Sequence, residues 1–203
     1  LDLTACMLDY SYSGVKCCGA PDWSMENKDQ IDLIRKEKNE KDKLRNIEQI
    51  TCDVCQLFGS PLKASKVFVS DGICTDWTGI FEVRDSVVID RDSETAAENL
   101  KFNYEVVPAG TKFSFMIEIE DPQDKELALI GAVLLSWQQG FLLGGMTARG
   151  LGRMEIEEIV AWEVDLTDKT QLLSYLIHKR LQEISDWKAY FHDRIERHFK
   201  GVS

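Results

Sequence analysis

The sequence lacks long hydrophobic runs and an excess of positive charge. No apolar stretch approaches the roughly 20 residues that span a bilayer, and no secretory signal is visible in the sequence. The formal net charge of −11 argues against a protein that coats nucleic acid over its whole surface, although it leaves room for a local basic groove. We therefore expect no membrane association. The 203 residues are enough for one domain with a substantial core, with or without an appendage.

Six cysteines are present, and five of them fall in the first 55 residues. Without a secretory signal, a disulfide framework is not expected. Cys52 and Cys55 have the C-x-x-C spacing with which two thiolates bind one tetrahedral metal ion, whereas a redox pair more often opens a helix beside a strand. The spacing favours a structural zinc site, with a redox pair or simple burial as alternatives. Cys74 follows a predicted strand, and we expect it to be a core thiol.

A glycine-rich segment at residues 143–153 reads Leu-Gly-Gly-Met-Thr-Ala-Arg-Gly-Leu-Gly-Arg. Its glycines let the backbone adopt positive φ and approach a ligand closely. Free backbone N–H groups beside arginine side chains form a concave site for phosphate oxygens. The segment predicts a polyphosphate or nucleotide ligand, and a flexible turn between two elements is the competing interpretation.

The spacing of apolar residues predicts an α+β protein. Strands are predicted at 67–69, 87–89, 102–107, 113–120 and 154–164, and helices at 124–141 and 168–199, the latter as one helix or two. The very polar segment 26–48 is predicted to be a solvated helix or a mobile insertion. Strand, helix, glycine-rich loop and strand follow one another as in the second half of a ferredoxin-like (RRM-like) β-α-β-β-α-β unit.

Four sequence motifs follow one another along the chain. They are Cys-Asp-Val-Cys-Gln-Leu-Phe-Gly-Ser at 52–60 with Ala-Ser-Lys-Val-Phe-Val-Ser-Asp at 64–71, Arg-Asp-Ser-Val-Val-Ile-Asp-Arg at 84–91, Tyr-Glu-Val-Val-Pro-Ala-Gly-Thr-Lys-Phe at 104–113, and the glycine-rich segment. From about residue 52 to residue 164 the chain thereby resembles the RAMP superfamily, the proteins that form the backbone of type III CRISPR effector complexes. The similarity is to backbone subunits of the type III-D kind and to the fused, single-chain type III-E effectors.

The resemblance implies a guide-binding role in a cytoplasmic, prokaryotic antiviral ribonucleoprotein. Subunits of this family stack along a guide RNA (crRNA), beside neighbouring RAMP subunits or fused domains, and present it for pairing with target RNA. A β-hairpin thumb, here expected near residues 87–104, inserts between bases. The RNA-binding residues that the resemblance implies are Ser60, Lys63, Ser65, Lys66, Asp90, Arg91, Gly144, Gly145, Met146, Thr147, Arg149, Gly150, Gly152 and Arg153.

The resemblance also implies a complete zinc knuckle. Its ligands would be Cys6, Cys18, Cys52 and Cys55, with Cys17 as an alternative to Cys18. The family's first strand, its loop with a catalytic aspartate and the opening of its first helix have no counterpart here. We therefore expect the first strand and helix to be missing from this chain, and we assign it no catalytic residue. Metal-dependent cleavage of target RNA by a completed module, with Mg²⁺ as the ion, stays open.

These patterns predict three regions and leave two other functions open. The regions are a zinc-knuckle region with a charged insertion at 1–60, a ferredoxin-like core with its thumb at 61–165, and a helical extension at 166–203. The other functions are a guide-RNA-processing endoribonuclease of the same superfamily and a zinc-stabilised protein-interaction module. Processing enzymes usually carry a catalytic histidine. Here the three histidines lie in the C-terminal tail, far in sequence from the glycine loop, at His178, His192 and His198.

Overall fold

The computed structural model describes residues 18–77, 79–89 and 96–199. The chain divides into two compact units. The first combines the part up to Lys66 with the part from Glu120 onward, and the second is Val67–Ile119. Helices and small antiparallel sheets together confirm the predicted α+β class. No helix of the described residues is long and apolar enough to cross a membrane.

The N-terminal part of the first unit is helical. Its elements are α1 (Pro21–Glu26), α2 (Lys28–Lys36), α3 (Glu40–Ile50) and α4 (Asp53–Phe58). The polar segment therefore forms two helices joined by a short connection. Ile31, Ile34 and Ile47 are the buried residues of α2 and α3, which gives each helix an apolar stripe on an otherwise charged surface.

The C-terminal part of the first unit contains three further helices. Its elements are α5 (Asp124–Trp137), β7 (Phe141–Leu142), β8 (Arg153–Met154), β9 (Trp162–Glu163), α6 (Lys169–His178), β10 (Gln182–Glu183) and α7 (Trp187–Phe199). A capping box between Gln123 and Glu126 starts α5. Buried Phe191 of α7 lies against Gly131 of α5, where any larger side chain would collide with the ring. The absence of a side chain at Gly131 thus lets the two helices pack.

The second unit consists of paired strands. Here β1 (Val67–Val69) pairs with β6 (Ile117–Ile119), β2 (Ile73–Asp76) with β5 (Lys112–Ser114), and β3 (Glu82–Ile89) with β4 (Ala96–Val106), all antiparallel. The segment predicted as a thumb belongs to the long β3–β4 hairpin. Asp90 and Arg91 lie outside the described residues. All the described strands form two-stranded ladders, and the ferredoxin-like order stays a prediction.

Three local predictions need correction. The strand predicted at 113–120 is two strands, because β5 pairs with β2 while β6 pairs with β1. The segment predicted as one strand at 154–164 is strand only near its two ends. Met154 belongs to β8, which pairs with the two residues of β7, and Trp162–Glu163 form β9, while residues 155–161 have no ladder partner. Cys74 is exposed rather than buried in a core, because all four residues of β2 are exposed.

Candidate metal site and nucleic-acid interface

Three cysteines meet where α4 begins. The Sγ atoms of Cys18, Cys52 and Cys55 all lie within 4.8 Å of one another. The Cys52 N–H donates to Cys18 Sγ at 3.3 Å, and the Cys55 N–H donates to Cys52 Sγ at 3.4 Å. Cys18 and Cys55 are buried. The C-x-x-C pair and an upstream cysteine are thus brought together as the sequence predicted.

This arrangement fits a structural zinc ion. Four thiolates around Zn²⁺ at about 2.3 Å lie about 3.8 Å apart, a separation within the spacing that the three sulfurs show. Backbone N–H donors stabilise thiolate charge on the ligands. Cys6, the predicted fourth ligand, and its neighbour Cys17 lie outside the described residues. No second cluster of metal-ligating side chains occurs in the described part of the chain, so nothing there supports the Mg²⁺ expectation.

The cysteine site is joined directly to a tight turn. Helix α4 buries Leu57 completely and ends at Gly59. Gly59 has φ +87°, and a Cβ there would lie 2.8 Å from the Ser65 nitrogen, so only glycine is accommodated. The Leu57 carbonyl accepts the Lys66 N–H at 2.9 Å and the Ser65 hydroxyl at 3.4 Å. Ser60 and Lys63 close the turn through two backbone hydrogen bonds. The α4 helix thereby fixes the shape of residues 60–66.

Both lysines of this turn bind carboxylates. Lys63 Nζ lies 2.8 Å from Glu48 Oε1, and Lys66 Nζ lies 2.8 Å from Glu126 Oε2. The hydrogen bond from Lys63 holds the pKa of Glu48 below its ordinary value of 4.5, against the opposing effect of its partial burial. Glu126 is buried, and a buried carboxylate requires such a partner. These two predicted phosphate donors are therefore also anchors of the turn.

Sequence reasoning missed the carboxylate partners of the turn. Glu48 and Glu126 lie 15 and 60 residues from their lysines. Another such pair joins Lys125 Nζ to Asp53 Oδ1 at 2.9 Å and links α5 to α4. The alternation and the helical spacing of apolar residues indicate only which residues are close in sequence. These patterns therefore could not predict ion pairs between distant segments.

The glycine-rich segment forms a closed loop. Strands β7 and β8 hold its two ends, and the Leu143 N–H donates to the Gly152 carbonyl at 2.8 Å. Gly152 has φ +73°, and a Cβ there would overlap the Leu143 carbonyl oxygen. Met146 adopts a left-handed conformation with φ 58°, and Thr147–Arg149 form a single 3₁₀ turn. Backbone hydrogen bonds at its base and the 3₁₀ turn thus define the path of the loop in this structure.

Within this loop a run of backbone donors points to no protein acceptor. In the described part of the chain, the N–H groups of residues 144–148 make no hydrogen bond, whereas Arg149, Gly150 and Leu151 donate within the loop. Consecutive backbone N–H groups with alternating handedness form an anion-binding concavity. An added Cβ at Gly144, Gly145 or Gly150 would meet no atom within 4 Å. The space beside these glycines is open.

Two arginines supply the charge of this loop. Arg149 and Arg153 are exposed, and neither forms an ion pair with a described residue. The Arg153 guanidinium lies beside Gly140, 3.6 Å from where a Cβ would be. An exposed, unpaired guanidinium can donate two parallel hydrogen bonds to a phosphate. The loop therefore combines neutral backbone donors with two exposed cationic ones.

The glycine loop, the turn and the cysteine cluster belong to the same compact unit. A search of curated proteins found no match. A family model, that of the RAMP superfamily, matches residues 23–155. It thus covers about two thirds of the chain, including the C-x-x-C pair and the whole glycine loop. The chain belongs to the RAMP superfamily, and this membership suggests a CRISPR-associated, RNA-binding role.

Proposed function

We propose that the chain is a guide-RNA-binding backbone module of a type III CRISPR ribonucleoprotein. The observation that carries the proposal is the run of five backbone N–H groups that have no acceptor among the described residues, beside Arg149 and Arg153, which form no ion pair with those residues. Backbone donors and guanidinium groups bind phosphates without reading bases. A guide is suited to such binding, because base pairing with the target does the reading.

The open space beside the loop supports close approach of an RNA backbone. Gly145 is the clearest case, because it has neither a positive φ nor a protein atom near its missing Cβ. Neither conformation nor packing of the described residues demands glycine there. A sugar–phosphate chain passing within van der Waals distance would demand it.

The turn at 60–66 is the second proposed contact. Ser60 accepts the Leu62 N–H on its hydroxyl oxygen at 3.2 Å, which leaves the hydroxyl proton for a phosphate. Lys63 and Lys66 would contact RNA only in competition with Glu48 and Glu126, so their main contribution is to fix the turn. Zinc held by Cys18, Cys52, Cys55 and a fourth cysteine, with Cys6 proposed, would anchor α4 beneath it.

The acidic surplus of the chain does not oppose this proposal. At physiological ionic strength the Debye length is about 8 Å, so exposed carboxylates farther than that from the loop repel RNA only weakly. Arg149 and Arg153 stand within the loop itself. Their charge acts directly on a phosphate bound at the loop, whereas the net charge of −11 is spread over the whole chain.

A filter-binding titration with single-stranded RNA tests the proposal. Arg149→Ala and Arg153→Ala should each weaken binding about tenfold, the effect of removing one charge-assisted hydrogen bond to a phosphate. The slope of log affinity against log salt should also fall by about 0.7 for each phosphate that the variant no longer neutralises. Arg35→Ala is the matched control, because Arg35 is exposed and lies 3.8 Å from Asp32 on the same helix. Unchanged binding in both loop variants would refute the proposal.

Assays on the same purified protein distinguish the proposed function from the two alternatives, a guide-processing endoribonuclease and a protein-interaction module. A guide-processing endoribonuclease would cleave a precursor repeat RNA, and replacement of one histidine would abolish that cleavage. A protein-interaction module would purify with a protein-like ultraviolet absorbance ratio and would not bind the RNA probe. We expect co-purifying RNA and no cleavage of the precursor by this chain alone.

A further inference from the structure

A small cavity lies between α6 and the β9–β10 ladder, in sequence beyond the region matched to the family. Its volume is about 160 Å³. Helix α6 ends at His178, and its C-cap residue Lys179 has a left-handed φ of 52°, after which Arg180 and Leu181 lead into β10. The lining side chains are Val164, Gln171, Ser174, Arg180, Leu181 and Gln182.

The polar part of this lining consists mainly of hydrogen-bond donors, with no carboxylate. Gln171 accepts the Asp165 N–H on its Oε1 at 3.0 Å, which leaves its two amide N–H groups as the available donors. The side chains of Ser174, Arg180 and Gln182 form no hydrogen bond or ion pair with any residue of the described ranges. Val164 and Leu181 provide an apolar wall. The cavity is therefore chemically suited to an oxyanion.

Three of the neighbouring carboxylates, those of Glu163, Asp165 and Asp168, accept hydrogen bonds from other groups. Glu163 accepts the Tyr190 hydroxyl at 2.9 Å. Asp165 accepts the N–H and the hydroxyl of Thr167, and these two bonds hold the pKa of Asp165 below its ordinary value. Asp168 caps α6 by accepting two backbone N–H groups. No described carboxylate pairs with Arg180, so its charge is available to a ligand.

The cavity has room for a phosphate group. Its volume of about 160 Å³ corresponds to about five waters at roughly 30 Å³ per water molecule, a space that accommodates the five heavy atoms of a phosphate. Because Arg180, Leu181 and Gln182 are exposed, the cavity is open to solvent, and the remaining substituent of a phosphoryl group can lie outside it.

The geometry points to a phosphoryl-binding site in which Arg180 is the cation and Gln171, Ser174 and Gln182 donate hydrogen bonds. Its ligand is either a phosphodiester of an RNA strand or a free phosphate-bearing small molecule. This site shares no residue with the glycine loop. It therefore stands whether or not that loop binds RNA.

A titration of the full ¹⁵N-labelled chain with inorganic phosphate tests the site. Backbone amide resonances at residues 171–182 should shift in a saturable manner. Arg180→Gln should weaken phosphate affinity at least about tenfold, and Ser174→Ala should weaken it less. Lys179→Gln is the matched control, because it removes a charge one residue away whose ammonium group lies over the Tyr175 ring at 4.9 Å. Absence of saturable shifts, or equal affinity in Arg180→Gln and the wild type, would overturn the inference.

A second titration with single-stranded RNA distinguishes the two sources of phosphate. If RNA is the ligand, it should shift the same resonances, displace inorganic phosphate, and lose this effect in Arg180→Gln. If a small molecule is the ligand, RNA should leave these resonances unchanged while phosphate still shifts them. Repeating both titrations in the Arg149→Ala, Arg153→Ala double variant separates the two sites. Inorganic phosphate should still bind near Arg180 even if RNA binding at the loop is abolished.

Discussion

At the residue scale, two glycines of the same loop serve different purposes. Gly152 is required by the protein itself, because its φ is +73° and a Cβ would overlap the Leu143 carbonyl. Gly145 is adjacent to open space and has an ordinary φ. Substitution by alanine at the two positions therefore separates the folding of the loop from its binding.

We predict that Gly152→Ala lowers the free energy of unfolding by about 1–3 kcal/mol, the cost of a strained backbone conformation. Gly145→Ala should leave stability within about 0.5 kcal/mol of the wild type but weaken RNA binding severalfold. Urea unfolding and filter binding of both variants measure the two effects. Wild-type RNA affinity in Gly145→Ala would mean that no ligand backbone passes there.

A second residue-scale prediction concerns Glu48 and acid. The hydrogen bond from Lys63 holds the pKa of Glu48 below its ordinary value of 4.5. The ionised pair therefore stabilises the fold fully at pH values above 4.5. The contribution is lost as the pH falls through the lowered pKa. The stability difference between the wild type and Glu48→Gln should therefore shrink as the pH falls below 4.5.

Glu40→Gln is the control for this experiment, since Glu40 is exposed and lies 3.8 Å from Lys43. Exposed pairs of this kind contribute little to stability, so the stability of Glu40→Gln should stay near that of the wild type across the same pH range. A wild-type advantage over Glu48→Gln that persists to the acid end would show that the Lys63 contact does not depend on carboxylate charge.

At the element scale, the sequence predicted those segments whose determinants are local. Val67–Val69 forms the predicted strand because its β-branched residues favour extended backbone. Asp168 caps α6 through the N–H groups of Thr170 and Gln171, a local determinant of the helix start that was predicted at residue 168. The segment 113–120 alternates cleanly yet is two strands. The reason is long-range: Ser70 bonds Met116 at the junction, where the ladder partner changes from β2 to β1.

The cysteine cluster yields an element-scale prediction. The proposed zinc site predicts about one equivalent of zinc in the wild type and little or none in Cys52→Ser, because a structural site depends on each thiolate. Thermal unfolding should shift to lower temperature, since α4 holds the turn at 60–66. Metal analysis together with calorimetry checks both effects, and exposed Cys74 provides the control variant Cys74→Ser. Equal zinc content in the two variants would exclude Cys52 as a ligand.

Helix α7 yields a prediction at alkaline pH. Burial, followed by the hydrogen bond to Glu163, raises the pKa of Tyr190 to about 12. The fold favours the neutral phenol, so this contribution to stability is complete below the ordinary pKa of 10. It is lost as the pH rises from about 10 toward 12. Tyr190→Phe should therefore show a smaller alkaline loss of stability in pH-dependent unfolding.

Tyr175→Phe provides the comparison for the alkaline experiment, because the Tyr175 ring lies under the Lys179 ammonium group. We expect Tyr175→Phe to retain the alkaline loss seen in the wild type. An identical alkaline profile in Tyr190→Phe and the wild type would mean that burial and the hydrogen bond to Glu163 do not favour the neutral phenol.

At the scale of the whole molecule, the order of the motifs identified the family, whereas the composition did not. The net charge of −11 says nothing of a basic loop, whereas the order of the four motifs led to the family that the comparison confirms over residues 23–155. The C-x-x-C pair located two members of the cysteine cluster. The ion pairs that secure the turn could not be predicted, since Lys63 and Lys66 meet carboxylates from other helices.

The most direct test of the central claim is photocrosslinking of the intact protein to RNA that contains 4-thiouridine, followed by mass spectrometry of the crosslinked peptides. The account predicts that crosslinks concentrate on residues 144–153 and on the turn at 60–66. It also predicts that Arg149→Ala and Arg153→Ala together abolish those on the loop while Arg35→Ala does not. Crosslinks confined to other parts of the chain, with none on residues 144–153, would contradict it.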